Sequence, residues 1–191
     1  MINAYDFDKT IYDGDSSIDF YLYCLKRKKS IILLLPIQLY GMLLYILKIK
    51  NKEYFKEKFF VFIKKIEVEK YVESFWKKNL KKIKAWYIEN KKNTDVIISA
   101  SPEFLLKYLE TELKIERVIA SIVDTKTGKF LSNNCYGKEK VIRYEKEFNK
   151  KPIKEFYSDS LSDLPMLEYA KKGYIVKGNR ILNYKEYNNS L

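Results

Sequence analysis

Short apolar runs that each end abruptly in acidic or hydroxyl-bearing residues constrain this chain more than any other feature. Ile2 to Phe7 runs into Asp6 and Asp8 with Thr10 following, Val96-Ile97-Ile98 into Ser99-Ala100-Ser101-Pro102, and Glu155-Phe156-Tyr157 into Ser158-Asp159-Ser160. Buried strands of an open sheet deliver functional side chains at their C-terminal ends, and these runs have that form. Helical patterns follow two of them, through Phe104, Leu105, Tyr108 and Leu109 and again from Leu164 to Ala170, while Tyr174-Ile175-Val176 reads as a fourth strand. Strands alternating with helices predict an α/β fold, a parallel sheet covered by helices on both faces.

From about Ser16 to Asn90 no strand is expected. Tyr54, Phe55, Phe59 and Phe62, then Tyr71, Val72, Phe75, Trp76 and Leu80, fall at helical spacing, which predicts a helical insertion between the first two strands. Inside it, Ile31 to Leu47 contains no charge, with Lys26-Arg27-Lys28-Lys29 before it and Lys48, Lys50 and Lys52 after it. At about 1.5 Å per residue such a helix spans roughly 25 Å, short of the roughly 30 Å hydrocarbon core. Pro36 and Gly41 are expected to interrupt it. Two readings stay open: a hairpin buried in the helical module or in a dimer interface, or shallow insertion into an anionic membrane face. Residues 125–129, Thr-Lys-Thr-Gly-Lys, predict a turn between two short strands.

Composition narrows the chemistry. The chain has 191 residues and no His, which removes imidazole-based nucleophilic sites, His-ligated zinc and His-ligated haem. Cys24 and Cys135 belong to no metal-ligand cluster and are expected as reduced thiols. The opening MINAYDFDKT lacks the pattern of a signal peptide, so a cytoplasmic location is expected, peripheral on the inner membrane face if the apolar run meets lipid. A net charge of +12 suits an anionic partner, and residues 13–90 carry 17 Lys and Arg against 9 Asp and Glu, two thirds of that excess. No nucleic-acid partner is expected, since charge alone would support one.

If the first and third strands are parallel neighbours, Asp6, Asp8, Asp159 and Asp163 converge on one sheet edge, an arrangement suited to a hard divalent cation. With Asp-Phe-Asp-Lys-Thr at 6–10, Ser99 in IISASP, Lys140 in CYGKEKV and DSLSD at 159–163, the chain resembles the haloacid dehalogenase superfamily of phosphatases, in motif order and spacing, over essentially its whole length. The insertion after the first motif resembles the class I cap of the phosphoserine-phosphatase-like subclass. The resemblance implies a Rossmann-like core of residues 1–12 and 91–191 and an α-helical cap of residues 13–90. It implies Asp6 as nucleophile and Asp8 as general acid and base, with Thr10, Ser99, Ala100 and Lys140 binding phosphate. Asp6, the Asp8 carbonyl and Asp159 would hold Mg²⁺, and Asp163 would order a metal-bound water. Lys138 is a weaker alternative to Lys140 by spacing from Gly137, and Lys9 stands where the family most often has Gly.

A phosphoserine phosphatase of this subclass clamps its substrate with a cap arginine and a nearby glutamate. Here the cap arginine is Arg27, inside a basic run, and Asp15 could stand for the glutamate. The apolar run, SASP and CYGKEKV resemble instead the phosphatidylglycerophosphatase-type members. The expected substrate is therefore a phosphomonoester, a membrane-lipid phosphate first, with a small soluble metabolite such as phosphoserine, or a phosphotransferase reaction on the same fold, as alternatives.

Overall fold

The computed structural model describes residues 1–189. Its sheet has six strands: β1 (Ile2–Tyr5), β2 (Val96–Pro102), β3 (Arg117–Ser121), β4 (Ile153–Ser158), β5 (Lys172–Lys177) and β6 (Arg180–Asn183), in the spatial order β3-β2-β1-β4-β5-β6. β1 lies between β2 and β4 and parallel to both, with Ala4 opposite Val96 and Phe156. β6 alone runs antiparallel, pairing with β5. The order reverses at β1, so a crevice opens beyond its C-terminal end, where open α/β sheets bind ligands. The expected α/β architecture is present. β3 and β6 are additions to it, since both are short edge strands that begin on an exposed Arg, 117 and 180, and lack a long apolar run.

Alternation along the strands divides the core. Ile2, Ala4, Val96, Ile98 and Phe156 face one side and meet Tyr144, Met166 and Leu167. Tyr5 and Ile97 face the other, where Leu105, Leu106 and Leu109 join Phe20, Phe62, Phe75 and Trp76 of the inserted helices in one continuous core. The insertion comprises α1 (Ser16–Arg27), a 3-10 turn (Lys29–Leu34), α2 (Leu35–Ile46), α3 (Lys52–Phe59), α4 (Val68–Asn79) and α5 (Ala85–Asn90). Tyr12 bridges to Ile83 where the chain leaves the sheet and returns to it. Trp76 ties the insertion down by donating its indole N–H to the Leu105 carbonyl at 2.6 Å. The remaining helices are α6 (Glu103–Leu106), α7 (Leu109–Leu113), α8 (Lys138–Phe148), α9 (Leu164–Tyr169) and α10 (Tyr184–Asn189). Cys24 and Cys135 are separate buried thiols.

The uncharged run departs from expectation. It is a 3-10 turn followed by one helix, and its partner in the hairpin is the charged helix α3. Pro36 does not break α2; it sits in the first turn, where its missing N–H costs nothing. Gly41 permits the pairing, because a Cβ there would lie 2.5 Å from the Lys58 Cβ. Residues 125–129 do form a turn, with Asp124 Oδ1 accepting from the amides of Lys126 and Thr127, but the flanks pair only as a single Val123–Phe130 bridge.

Candidate active site

The end of β1 delivers Asp6 into the crevice. Its amide still donates to the Tyr157 carbonyl, at 2.8 Å, so the residue stands on the sheet's hydrogen-bonded frame. Asp6 Oδ1 accepts from Lys140 Nζ at 2.7 Å, and Oδ2 accepts from the Thr10 hydroxyl at 3.0 Å. Lys140 comes from the first turn of α8, which Gly137 opens at φ +57°, and its ammonium also donates to Asp163 Oδ2 at 2.6 Å. Only 1% of Lys140 is exposed, whereas Lys138 faces solvent, which settles the lysine of the pair that reaches the crevice. Burial raises the Asp6 carboxyl pKa and Lys140 opposes that rise; Lys140 itself is pushed up by its two carboxylates against its own burial, and so stays charged.

Asp8 is held differently. Its Oδ1 accepts from the Ser16 amide at 2.6 Å and its Oδ2 from the Ser101 hydroxyl at 2.5 Å. The Ser101 oxygen in turn receives Ser16 Oγ at 3.3 Å and lies 3.1 Å from Ser17 Oγ. Burial, with Asp15 adding repulsion, pushes the Asp8 carboxyl up to about 6, while the serine donors hold it down. A carboxyl poised near 6 exchanges its proton readily near neutrality, the property required of a general acid and base.

Asp6, Asp8, Ser99, Ala100, Lys140, Asp159 and Asp163 line one cavity of about 480 Å³. The structure therefore brings together seven of the eight expected site residues. Thr10 is the exception, because its hydroxyl is buried between Asp6 Oδ2 and the Asp159 amide, which donates to it at 2.8 Å. Its contact is with Asp6 and the Asp159 backbone, not with the open cavity. Ser99 is buried, and its oxygen accepts from the Ser101 amide at 3.1 Å.

Several lining residues carry no sequence motif. Lys52, Phe55, Lys56 and Phe59 of α3 form the opposite wall, with Ile18 of α1 and Tyr136 beside them. Lys56 Nζ donates to the Ala100 carbonyl at 2.8 Å and to Asn134 Oδ1 at 3.0 Å, and burial together with Lys52 lowers its pKa to about 8. The spacing of Lys52 with Lys56 and of Phe55 with Phe59 was the available signal, each pair four residues apart on one helix. Arg27 is absent from the wall; its guanidinium stacks 3.7 Å from the Tyr23 ring centroid. Lys9 lines the cavity at φ +60°, the left-handed region, which accounts for glycine's usual place there.

The oxygen donors fit a hard divalent cation. Asp163 Oδ1 is buried and has no hydrogen-bond partner, and burial raises the Asp159 carboxyl beside it. Among the described residues no three acidic, Cys or His side chains gather as a complete ligand set, and the Asp8 carboxylate turns toward Ser16 and Ser101. Magnesium tolerates this, since it retains waters and binds through one or two carboxylates together with substrate phosphate.

The sequence model for haloacid dehalogenase-like hydrolases matches residues 4–168. No curated protein matches the chain. Among solved structures, a Bordetella pertussis Tohama I protein described as of unknown function is 17% identical, with a TM-score of 0.74 over 90% of this chain and 88% of that one. A phosphoserine phosphohydrolase-like protein from Francisella tularensis subsp. tularensis SCHU S4 is 16% identical, with a TM-score of 0.59 over 100% of this chain and 93% of its own. A phosphoserine phosphatase in its apo form is 17% identical, with a TM-score of 0.54 over 90% and 84%. At these identities the likeness is one of fold.

Proposed function

This chain belongs to the haloacid dehalogenase-like hydrolases, and from that premise we propose that it is a magnesium-dependent phosphomonoester hydrolase working through an aspartyl-phosphate on Asp6. The observation that carries the reading is the pair of carboxylates at the cavity floor, one braced by a buried cation and the other by hydroxyl and amide donors. An Asp6 carboxylate oxygen forms a bond to phosphorus while the ester P–O bond breaks, and Asp8 gives its proton to the departing alkoxide. Water then attacks the same phosphorus, Asp8 takes the water's proton, and the Asp6–phosphorus bond breaks to release phosphate. Lys140 offsets the charge gathered around Asp6, and Ser99 with the Ala100 amide receives the phosphoryl oxygens. Asp6, the Asp8 carbonyl and Asp159 are the proposed Mg²⁺ holders, with Asp163 ordering a bound water; the cation would supply charge neutralisation between carboxylates and phosphate.

In the same reading residues 13–90 are a cap over a core of residues 1–12 and 91–191. The favoured leaving group is an acyl-bearing alcohol, as in phosphatidylglycerophosphate, because Ile18, Phe55, Phe59 and Phe60 give the cap wall an apolar surface and Arg27 offers no carboxylate clamp. A second reading, a small zwitterionic metabolite such as phosphoserine, draws on Asp15, which lines the cavity and could meet an ammonium. A phosphotransferase would use the same residues with another acceptor.

Asp6→Asn keeps the shape and removes the nucleophile, so turnover of an aryl phosphate should fall by roughly 10⁴-fold or more without loss of fold. Undiminished turnover, or full activity in excess chelator, would overturn the mechanism. A panel of phosphatidylglycerophosphate, phosphoserine and sugar phosphates then separates the leaving groups.

A further inference from the structure

Helix α2 is inside out. Its buried residues are Gln38 and Gly41, while Leu35, Ile37, Leu39, Tyr40, Met42 and Leu43 are each 39–55% exposed. Gln38 is the run's one side-chain amide, and it is satisfied inward: Tyr21 donates its hydroxyl to Gln38 Oε1 at 2.9 Å, and Gln38 Nε2 donates to the Phe59 carbonyl at 2.9 Å. These two bonds fix the rotation of the helix about its axis, and with it the outward direction of the leucines. An amphipathic helix serving a globular core does the reverse. Contiguous exposed apolar surface of this kind marks a face that meets something other than water.

Charge indicates what meets it. From residue 20 to residue 52 the chain contains seven Lys and Arg and no Asp or Glu, and the basic residues bracket the apolar run on both sides. A second protein copy presenting this same face would bring like charges together, whereas an anionic lipid surface accepts both the apolar side chains and the flanking cations. With the 3-10 turn before it, α2 makes a helical stretch of 18 residues, Lys29–Ile46, with a mean hydropathy of 1.7, long and apolar enough to cross a membrane by length and composition. Gln38 near its middle is tied by hydrogen bonds to Tyr21 of α1 and Phe59 of α3, which lays the helix along the protein instead of across a bilayer. The face is also joined to the catalytic cavity. Tyr45 of α2 stacks on Phe55 at 5.7 Å between ring centroids, and Phe55 lines the cavity wall.

We propose that the outward face of α2 docks the protein, without spanning, on an anionic membrane surface, and that through Tyr45 and Phe55 this docking presents the cavity to phosphomonoesters lying in that surface. The second half rests on the phosphatase reading; the docking does not.

Full-length protein mixed with vesicles of phosphatidylcholine, with and without 30% phosphatidylglycerol as a composition of about that order, tests both by co-sedimentation. Binding should rise with phosphatidylglycerol by about fivefold for each basic residue that reaches the surface, and fall as salt is added. Leu39→Asp and Leu43→Asp, both at solvent-facing positions, should each reduce binding about tenfold or more while hydrolysis of a soluble aryl phosphate is unchanged. No binding to anionic vesicles, or binding insensitive to both substitutions, overturns the proposal. So does a wild-type dimer in solution that these substitutions dissociate, which would assign the face to a second copy. Vesicle binding without hydrolysis of any phosphomonoester would leave the docking intact and defeat the phosphatase reading instead.

Discussion

At the C-terminal edge of the sheet, Asp6, Lys140 and Asp163 lie in the interior with their charges turned toward one another, whereas on α2 a row of apolar side chains lies in solvent around one buried glutamine. Both regions reverse the usual partition of polar and apolar groups, and the physical costs differ. Buried charges are tolerated only while partners satisfy them, so each site residue depends on the others. Exposed leucines disturb no neighbour, so the protein gains no stability from their outward placement and loses little when they change. The first region is held by internal dependence. The second is free to be specified by an external partner.

That contrast is sharpest at Lys140. Lys140→Met removes the cation that faces Asp6 Oδ1 and Asp163 Oδ2, leaving two buried carboxylates uncompensated. Stability should fall by about 3–5 kcal/mol, the usual cost of breaking a buried ion pair from one side. Chemical denaturation in the presence of chelator measures it without help from an added cation. A loss below about 1 kcal/mol would mean that the cluster is less interdependent than its geometry implies.

Asp95 extends the comparison to a buried carboxylate without an ion pair. It precedes β2, at the opposite end from the site, with Oδ2 accepting from the Lys92 amide at 2.8 Å and Oδ1 buried without a partner. Burial raises its pKa to about 6, above an unfolded value of about 3.9. The folded state therefore holds this proton more tightly than the unfolded state, so the associated stability is complete below about pH 4 and is lost as pH rises through 6. Asp95→Asn should abolish that decline and raise stability at pH 7.5 by about 1–2 kcal/mol. Denaturation midpoints of the two proteins between pH 4 and 7.5 check the sign. Parallel curves would show that Asp95 binds its proton equally in the folded and the unfolded chain, so that its burial carries no pH-dependent cost.

Much of this arrangement is legible in the sequence because the relevant physics is local. A buried strand announces itself by a short apolar run, so Asp6, Asp8, Asp159 and Asp163 can be read as carboxylates converging on one sheet edge, while Ser99 takes a role only through the order of the motifs. Lys140 can be read only through motif order, since nothing nearby in sequence says that its ammonium crosses to a carboxylate 134 positions away. Ser101 and Lys56 are harder still. Ser101 looks like part of the loop after Ser99, and Lys56 like one more cation on a basic helix, until the fold brings them to Asp8 and to the Ala100 carbonyl. For α2 the sequence supplies the apolar length but not the rotation, because Gln38 turns inward only when Tyr21 and Phe59 stand beside it.

The smallest expected effects lie on that helix, and they invert the ordinary mutational rule. Gln38→Leu makes the run wholly apolar, yet it leaves the Tyr21 hydroxyl and the Phe59 carbonyl without their partner in a partly buried setting. The cost should be about 1 kcal/mol, the net value of a typical internal hydrogen bond with some added desolvation. Leu43→Gln is the converse exchange, at a position 52% exposed, and should change stability by less than about 0.5 kcal/mol. Denaturant midpoints measured at equal slope compare the pair directly. If Leu43→Gln costs as much as Gln38→Leu and the cost grows with protein concentration, the outward face is covered in solution by another copy of the chain. If both costs follow the expected order at every concentration, the apolar face of α2 makes no stability-determining contact in solution and is left free for the proposed lipid surface.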